Sequence, residues 1–127
     1  MMRILIVDDH DLIRKGLRAI LSARTDIAAC AEATDGWDAI EKARELKPDV
    51  IIMDVNMPNL NGFAAAREIK KFLPEVAIIF LSMHDGDGAI EQAKLVGARG
   101  YVRKSHASSE LLKALDAVFQ KRQFFED

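Results

Sequence analysis

The chain has 127 residues, of which 50% are hydrophobic and 30% charged, and its formal net charge is -2. This balance predicts one globular domain over residues 1–127, with any further domain outside it. The 18 basic residues against 20 acidic ones exclude a strongly basic surface, so we expect no nucleic acid to bind this domain itself. The single cysteine, Cys30, excludes an internal disulfide. No stretch approaches a membrane span, so we expect a cytoplasmic protein without membrane contact.

Short apolar runs alternate with segments of helical period along the chain. The predicted strands are 3–7, 27–33, 50–55, 76–81 and 100–103. The predicted helices are 11–23, 36–46, 63–73, 86–96 and 108–123. Parallel strands need crossover helices, so this alternation predicts a flavodoxin-like, doubly wound α/β fold with a five-stranded parallel sheet and five helices. We expect the strand order 2-1-3-4-5.

Polar residues stand where the predicted strands end. The first strand runs into Asp8 and Asp9, the third contains Asp54 near its end, the fourth is followed by Ser82 and the fifth by Lys104. The carboxyl ends of parallel strands border the functional crevice of such sheets, so these side chains should converge. Two carboxylates about 4 Å apart repel by roughly 4 kcal/mol at an effective dielectric near 20, so something must offset their proximity.

A divalent cation bound to phosphate explains this set of residues. Three carboxylates without a cysteine or histidine companion favour a hard ion, and Mg²⁺ fits best because it keeps waters for an incoming phosphate. The Lys104 ammonium and the Ser82 hydroxyl could bind phosphate oxygens across from the metal. One carboxylate could itself accept a phosphoryl group. Asp54 is the natural choice, because it lies between the acidic pair and the Ser82/Lys104 pair.

Four segments, VDDHD, MDVNMPNLNG, LSMHD and GYVRKS, resemble the successive signatures of the response-regulator receiver domain of two-component signalling. The resemblance covers almost the whole chain. It implies a phosphorylation-activated switch in which Asp54 accepts a phosphoryl group from a sensor histidine kinase in a Mg²⁺-dependent reaction. The altered surface then controls an output. Such a domain is not an enzyme and promotes only its own phosphorylation and dephosphorylation.

The resemblance also implies residue roles around the metal. Asp9 and Asp54 would be metal ligands, Asp8 would support the metal through water, and the Asn56 backbone carbonyl would complete the protein's share. Lys104 would contact the phosphoryl group.

Further roles concern the switch. Ser82 occupies the switch hydroxyl position and Tyr101 the switch aromatic position, so Ser82 would move toward the phosphate while Tyr101 turns inward. Asn56 and His84 fall where the family varies its phosphorylation and dephosphorylation rates. Phosphorylation could also produce a homodimer.

One position departs from the family pattern. Receivers usually place proline after the conserved lysine, often with a cis bond, whereas this chain has Ser105. A cis bond to a non-proline residue costs roughly 3–4 kcal/mol, so the geometry of the Lys104–Ser105 peptide stays open. The segments GARGYVRKS and SMHD are most similar to receivers that carry a C-terminal LuxR-type helix-turn-helix, in which a non-proline residue after the lysine is common. Transcription is therefore the expected output.

Other functions compete with this interpretation. A small Mg²⁺-dependent phosphohydrolase with an aspartyl nucleophile usually needs a second acid two residues later, where this chain has Asn56. A flavodoxin-like binding module would need phosphate-binding backbone loops. An isolated pair such as Asp8 and Asp9 could simply cap a helix.

Overall fold

The computed structural model describes residues 2–83 and 88–126, except for the side chains of residues 29 and 30. The strands are β1 (Met2–Val7), β2 (Ile27–Ala33), β3 (Val50–Asp54), β4 (Ala77–Ser82), β5 (Gly100–Arg103) and β6 (Phe124–Phe125). The helices are α1 (Asp11–Leu21), α2 (Gly36–Leu46), α3 (Gly62–Phe72), α4 (Ala89–Leu95) and α5 (Ala107–Phe119). A short 3₁₀ helix, Lys104–His106, joins β5 to α5.

The strands form one parallel sheet in the order β2-β1-β3-β4-β5-β6. The predicted fold class and the predicted order of the first five strands are confirmed. From β1 the chain adds β2 on one side and then returns to add β3 on the other side of β1. At this reversal of strand order, a crevice opens beyond the carboxyl ends of β1 and β3.

Both faces of the sheet are covered by apolar side chains, which explains the nearly continuous apolar strands. Successive residues of a strand point to opposite faces. Leu5, Ile51, Met53, Ile78 and Phe80 belong to the cluster on one face, together with residues of α2 and α3. Ile4, Ile6, Ile52, Ile79 and Leu81 belong to the cluster on the other face, together with residues of α1 and α5. The central strands are therefore packed on both faces, which fixes the position of the residues that follow their carboxyl ends.

The last helix is shorter than predicted, and the chain after it forms an unpredicted sixth strand. α5 ends at Phe119, and Lys121 has a positive φ of 59°, which a helix does not accommodate. The chain then turns back along β5: Phe124 N donates to Arg99 O at 2.9 Å, and Glu126 N donates to Tyr101 O at 2.8 Å. The two adjacent phenylalanines suit this half-buried edge, where they pack against the core clusters.

The fourth helix begins later than predicted. α4 starts at Ala89, because Gly88 has a φ of 84° and so lies outside the helical region. The first part of the predicted helix, residues 86–87, lies outside the described residues. Within the described part of the chain, no helix is long and apolar enough to cross a membrane.

Candidate functional site

Buried polar side chains concentrate at the carboxyl edge of the sheet. Asp8 follows β1, Asp54 ends β3 and Ser82 ends β4, with 0%, 2% and 3% of their surfaces exposed. Arg14 is the other buried polar or charged residue of the described chain, and it lies on α1 behind the same edge. The predicted convergence is therefore observed: different strand ends bring functional groups to one place.

Lys104 links two of these carboxylates. Its ammonium nitrogen lies 2.8 Å from Asp8 Oδ2 and 3.1 Å from Asp54 Oδ2, and its side chain is only 7% exposed. Lys104 comes directly after β5, so the three residues that meet here follow or end three different strands, β1, β3 and β5. This ammonium partly offsets the repulsion between the two buried acids.

Burial and charge act on the ionisation of this cluster. Burial raises the pKa of the Asp54 carboxyl, and the charge of Asp8 adds to this effect, while the Lys104 ammonium opposes it without reversing it. Burial by itself lowers the pKa of Lys104, but its hydrogen bond to Asp8 and the charge of Asp54 outweigh burial, so its pKa is raised. Lys104 therefore stays cationic beside the acids.

Asp9 lies beside Asp8 with a histidine that the sequence did not assign to the site. His10 Nδ1 is 3.2 Å from Asp8 Oδ1 and 3.2 Å from Asp9 Oδ1, and the His10 amide donates to Asp8 Oδ1 at 2.9 Å. The ligand atoms of Asp8, Asp9 and His10 lie within 4.8 Å of one another, a group that could hold a metal ion. Asp54 is connected to this group through Lys104.

The donor set fits a hard divalent cation. It consists mainly of carboxylate oxygens, which Mg²⁺ prefers. Asp8 Oδ2 is buried and lies 2.8 Å from the Lys104 ammonium. The carboxylates of Asp8 and Asp54 share this one ammonium, so the cluster keeps an excess of negative charge that a further cation would offset.

The loop after β3 holds Asp54 through its backbone. The Asn56 amide donates to Asp54 Oδ1 at 3.1 Å, and Gly62 N donates to Val55 O at 2.9 Å. A Cβ atom at Gly62 would lie 2.3 Å from Asp54 O, so only glycine allows α3 to approach this closely. Gly62 thus packs against the backbone of Asp54, the central acid of the site.

The predicted switch positions lie on neighbouring strands. Ser82 is paired in register with Arg103 on β5, and Tyr101 is paired with Phe80 on β4. Tyr101 is 2% exposed and belongs to the core cluster, so its ring already points inward. The predicted movement of Ser82 and Tyr101 belongs to the phosphorylated protein and stays a prediction. His84, predicted to tune rates, lies outside the described residues.

Two features complete the surroundings. The Lys104–Ser105 peptide is trans, since the structure contains no cis peptide in its described residues, and Ser105 continues into the 3₁₀ helix. A surface cavity of about 540 Å³ opens beside the site, lined by residues 9–13, Met83 and Lys104. Leu12 and Met83 are exposed there, with 80% and 69% of their surfaces open to solvent.

This fold and site correspond to a known class. Residues 4–116 match the family described as the response regulator receiver domain, and the chain belongs to that family.

Similar proteins and structures support the assignment. The response regulator protein VraR of Staphylococcus saprophyticus is 36% identical over 124 residues, which are 98% of this chain and 59% of VraR. The transcriptional regulatory protein DegU of Brevibacillus brevis is 36% identical over 118 residues, 93% of this chain and 50% of DegU. This chain thus spans about half to three-fifths of these relatives.

Solved structures agree with the sequence comparison. A two-component response regulator of the LuxR family from Aurantimonas sp. SI85-9A1 superposes with a TM-score of 0.92 at 35% identity, covering 98% of this chain and 89% of that one. The non-phosphorylated receiver domain of RcsB from Escherichia coli gives 0.91 at 27% identity, covering 99% and 98%. The resemblance to receivers of LuxR-type regulators is thereby confirmed.

Proposed function

We propose that this chain is a phosphorylation-activated switch in which Asp54 accepts a phosphoryl group from a sensor histidine kinase. The observation that carries the proposal is the Lys104 ammonium, which contacts both Asp8 and Asp54 in a buried cluster built from separate strand ends. Membership of the receiver family supports the same role.

The chain's own residues account for the transfer step. An Asp54 carboxylate oxygen attacks phosphorus, an O–P bond forms, and the N–P bond of the donor phosphohistidine breaks and leaves imidazole. Lys104, already held against Asp54, binds a phosphoryl oxygen as charge develops. The cavity beside Asp9 and Leu12 reaches Lys104, and the donor side chain would approach from this side. Hydrolysis of the acyl phosphate by water restores Asp54, so the domain promotes only its own phosphorylation and dephosphorylation.

Asp8, Asp9, Asp54 and the Asn56 backbone carbonyl would hold Mg²⁺. When bound, the ion would neutralise phosphoryl charge. The Asp54 carboxylate is oriented by two contacts. The Asn56 amide donates to Oδ1 at 3.1 Å, and Oδ2 faces the Lys104 ammonium.

Ser82 and Tyr101 would transmit the modification. A phosphoryl group adds about -1.5 to -2 charge and three acceptor oxygens. Shifting a two-state element from 1:99 to 99:1 needs roughly 5.5 kcal/mol. Two or three charge-assisted hydrogen bonds, at about 1.5–3 kcal/mol each, supply this amount. Ser82 would move toward the phosphate, and the buried ring of Tyr101 would fill the space that it leaves. Asn56 and His84 would set the rates.

We further propose that the domain spans residues 1–127 of a longer regulator of transcription whose output domain follows it. Its matched relatives are longer and include a transcriptional regulatory protein. The RcsB response regulator, 27% identical, has been solved as a complex with DNA. In this arrangement the receiver itself binds no nucleic acid, its location is cytoplasmic, and phosphorylation promotes a homodimer.

A Mg²⁺-dependent phosphohydrolase is the alternative that the same acids could support. Its leaving group would need a proton from an acid two residues after Asp54, and Asn56 cannot supply one. The two functions differ in turnover: a switch keeps one labile phosphate, whereas a hydrolase processes a phosphomonoester repeatedly.

The proposal is tested by incubating the protein with acetyl phosphate and Mg²⁺ and measuring intact mass. We expect a gain of one phosphoryl group that hydroxylamine removes, and no gain in Asp54→Asn. Beryllofluoride with Mg²⁺ should change the backbone amide NMR spectrum of the wild type and leave the spectrum of Asp54→Asn unchanged. Equal responses of the two proteins would contradict the assignment.

A further inference from the structure

A buried arginine behind the site has no place in the function proposed above. Arg14 lies on α1 and is 8% exposed. A buried guanidinium is costly unless its donors are used, so its contacts should reveal what it does.

The guanidinium of Arg14 joins three elements. Its Nη1 donates to the backbone oxygen of Asp8 at 2.6 Å, and its Nε donates to Glu32 Oε1 on β2 at 2.8 Å. Its Nη2 pairs with Asp11 Oδ1 in the first turn of α1. Asp11 is the first residue of α1 and pairs with Arg14, while His10 occupies the N-cap position.

The bond to Asp8 has a specific geometric consequence. The Asp8 carbonyl belongs to the peptide group that joins Asp8 to Asp9, so fixing this oxygen fixes the plane from which both carboxylates project. The other side of Asp8 is held as well, since its amide donates to Ala33 O at 3.1 Å. Both peptide groups that flank the Asp8 side chain are therefore restrained.

Glu32 in turn orients Arg14. Its second carboxylate oxygen accepts from Arg18, and its backbone oxygen accepts from Lys42 Nζ at 2.7 Å. The Arg18 and Arg14 guanidiniums hold the pKa of the Glu32 carboxyl below its usual range despite partial burial, so Glu32 remains an anion. Two carboxylates and one backbone oxygen therefore hold the Arg14 guanidinium from three sides.

We propose that Arg14 is a positioning residue for the acidic pair, which sets the affinity of the site for its divalent cation by fixing the Asp8–Asp9 peptide. This inference rests on the proposed function. Groups that orient metal ligands typically contribute about 10- to 100-fold to metal affinity.

Arg14→Lys separates positioning from charge. Lysine keeps the positive charge but cannot bind Asp8 O, Glu32 and Asp11 together, because it lacks the planar fork. We expect the dissociation constant for Mg²⁺, measured by titration of backbone amide NMR signals, to rise about tenfold. Arg14→Gln gives a second test: loss of a positive charge alone should tighten cation binding, whereas loss of positioning should weaken it. We expect weakening.

Arg24→Lys is the matched control. Arg24 also bonds two carboxylates, Asp26 and Asp116, but it lies at the opposite edge of the sheet. We expect its Mg²⁺ affinity to equal that of the wild type. The proposal is overturned if Arg14→Lys binds Mg²⁺ as tightly as the wild type, or if both lysine variants weaken binding equally.

The outcome also separates this proposal from the function on which it rests. If the wild type fails to bind Mg²⁺, or if Asp9→Asn leaves binding unchanged, both the proposed function and the role of Arg14 are wrong. If binding in the wild type requires Asp9 and Arg14→Lys leaves it intact, only the role of Arg14 is wrong. Urea unfolding of each variant confirms that the compared proteins are folded.

Discussion

The two edges of the sheet contain the same kind of ion pair in opposite settings. At the amino edge, Arg24 contacts Asp26 at 2.7 Å and Asp116 at 2.8 Å, and the two acids are 48% and 54% exposed. At the carboxyl edge, Lys104 contacts Asp8 and Asp54 at similar distances, but the acids are 0% and 2% exposed. Distance alone therefore does not distinguish the two clusters; burial does.

Burial changes what these pairs mean. Exposed ion pairs keep most of their hydration, so an excess of acid there has little energetic consequence. The carboxyl edge buries two carboxylates against one ammonium and places Asp9 beside them. This buried excess of negative charge lowers the stability of the fold unless a further cation binds. A cation-binding site differs in this respect from a structural salt bridge.

The largest expected effect comes from removing the ammonium. Lys104→Met leaves Asp8 and Asp54 buried without their cation, and we expect a loss of about 3 kcal/mol in the free energy of unfolding. Urea denaturation at pH 7 without Mg²⁺ measures it. A loss as small as that of an exposed pair at the amino edge would remove the distinction between the two edges.

The second effect is stabilisation by the cation itself. At a Mg²⁺ concentration one hundred times its dissociation constant, we expect the free energy of unfolding of the wild type to rise by about 2.7 kcal/mol. Asp9→Asn should lose most of this gain, because it removes a carboxylate from the group formed with Asp8 and His10. Equal gains in the two proteins would place the ion elsewhere.

The carboxyl edge was the more predictable of the two from sequence. Strand-end residues follow apolar runs, and parallel pairing brings those ends together whatever their separation along the chain. Asp8, Asp54, Ser82 and Lys104 were therefore found by position alone. The alternation of strands with helices predicts a parallel sheet, and the expected order 2-1-3-4-5 is one of the common orders of doubly wound sheets.

The supports of the site were not predictable in this way. Arg14 looks like a solvated helix residue, because sequence period does not reveal that the backbone of Asp8 lies within its reach. Gly62 reads as a loop residue, because its closeness to Asp54 O depends on how α3 packs. Phe124 and Phe125 form a segment shorter than an ordinary strand, so its pattern does not predict a strand. Each depends on tertiary contacts that local pattern does not encode.

Asp54→Asn should raise stability at pH 7, by about 1 kcal/mol. Burial raises the pKa of this carboxyl in the folded state, so its ionised form opposes folding. The wild type gains stability as pH falls through that raised pKa toward the unfolded value of 3.8, because Asp54 takes up its proton earlier when folded. The advantage of Asp54→Asn, followed by urea unfolding across this range, should therefore shrink with acidification. An advantage that grows on acidification would contradict the sign of the pKa shift.

The smallest expected effect has the opposite sign and comes from the matched change at the other edge. Asp116→Asn removes an exposed carboxylate from Arg24 while Asp26 remains, and we expect a loss of about 0.5 kcal/mol. At about 1 M salt the loss should shrink, because the screening length falls to about 3 Å. Urea unfolding at low and high salt checks both statements. The same chemical change thus stabilises one edge and destabilises the other, since only at the carboxyl edge does removing a carboxylate relieve a buried excess of negative charge. If Asp116→Asn were also stabilising, the general surplus of acidic residues would explain both results, and the carboxyl edge would no longer require a cation to explain its composition.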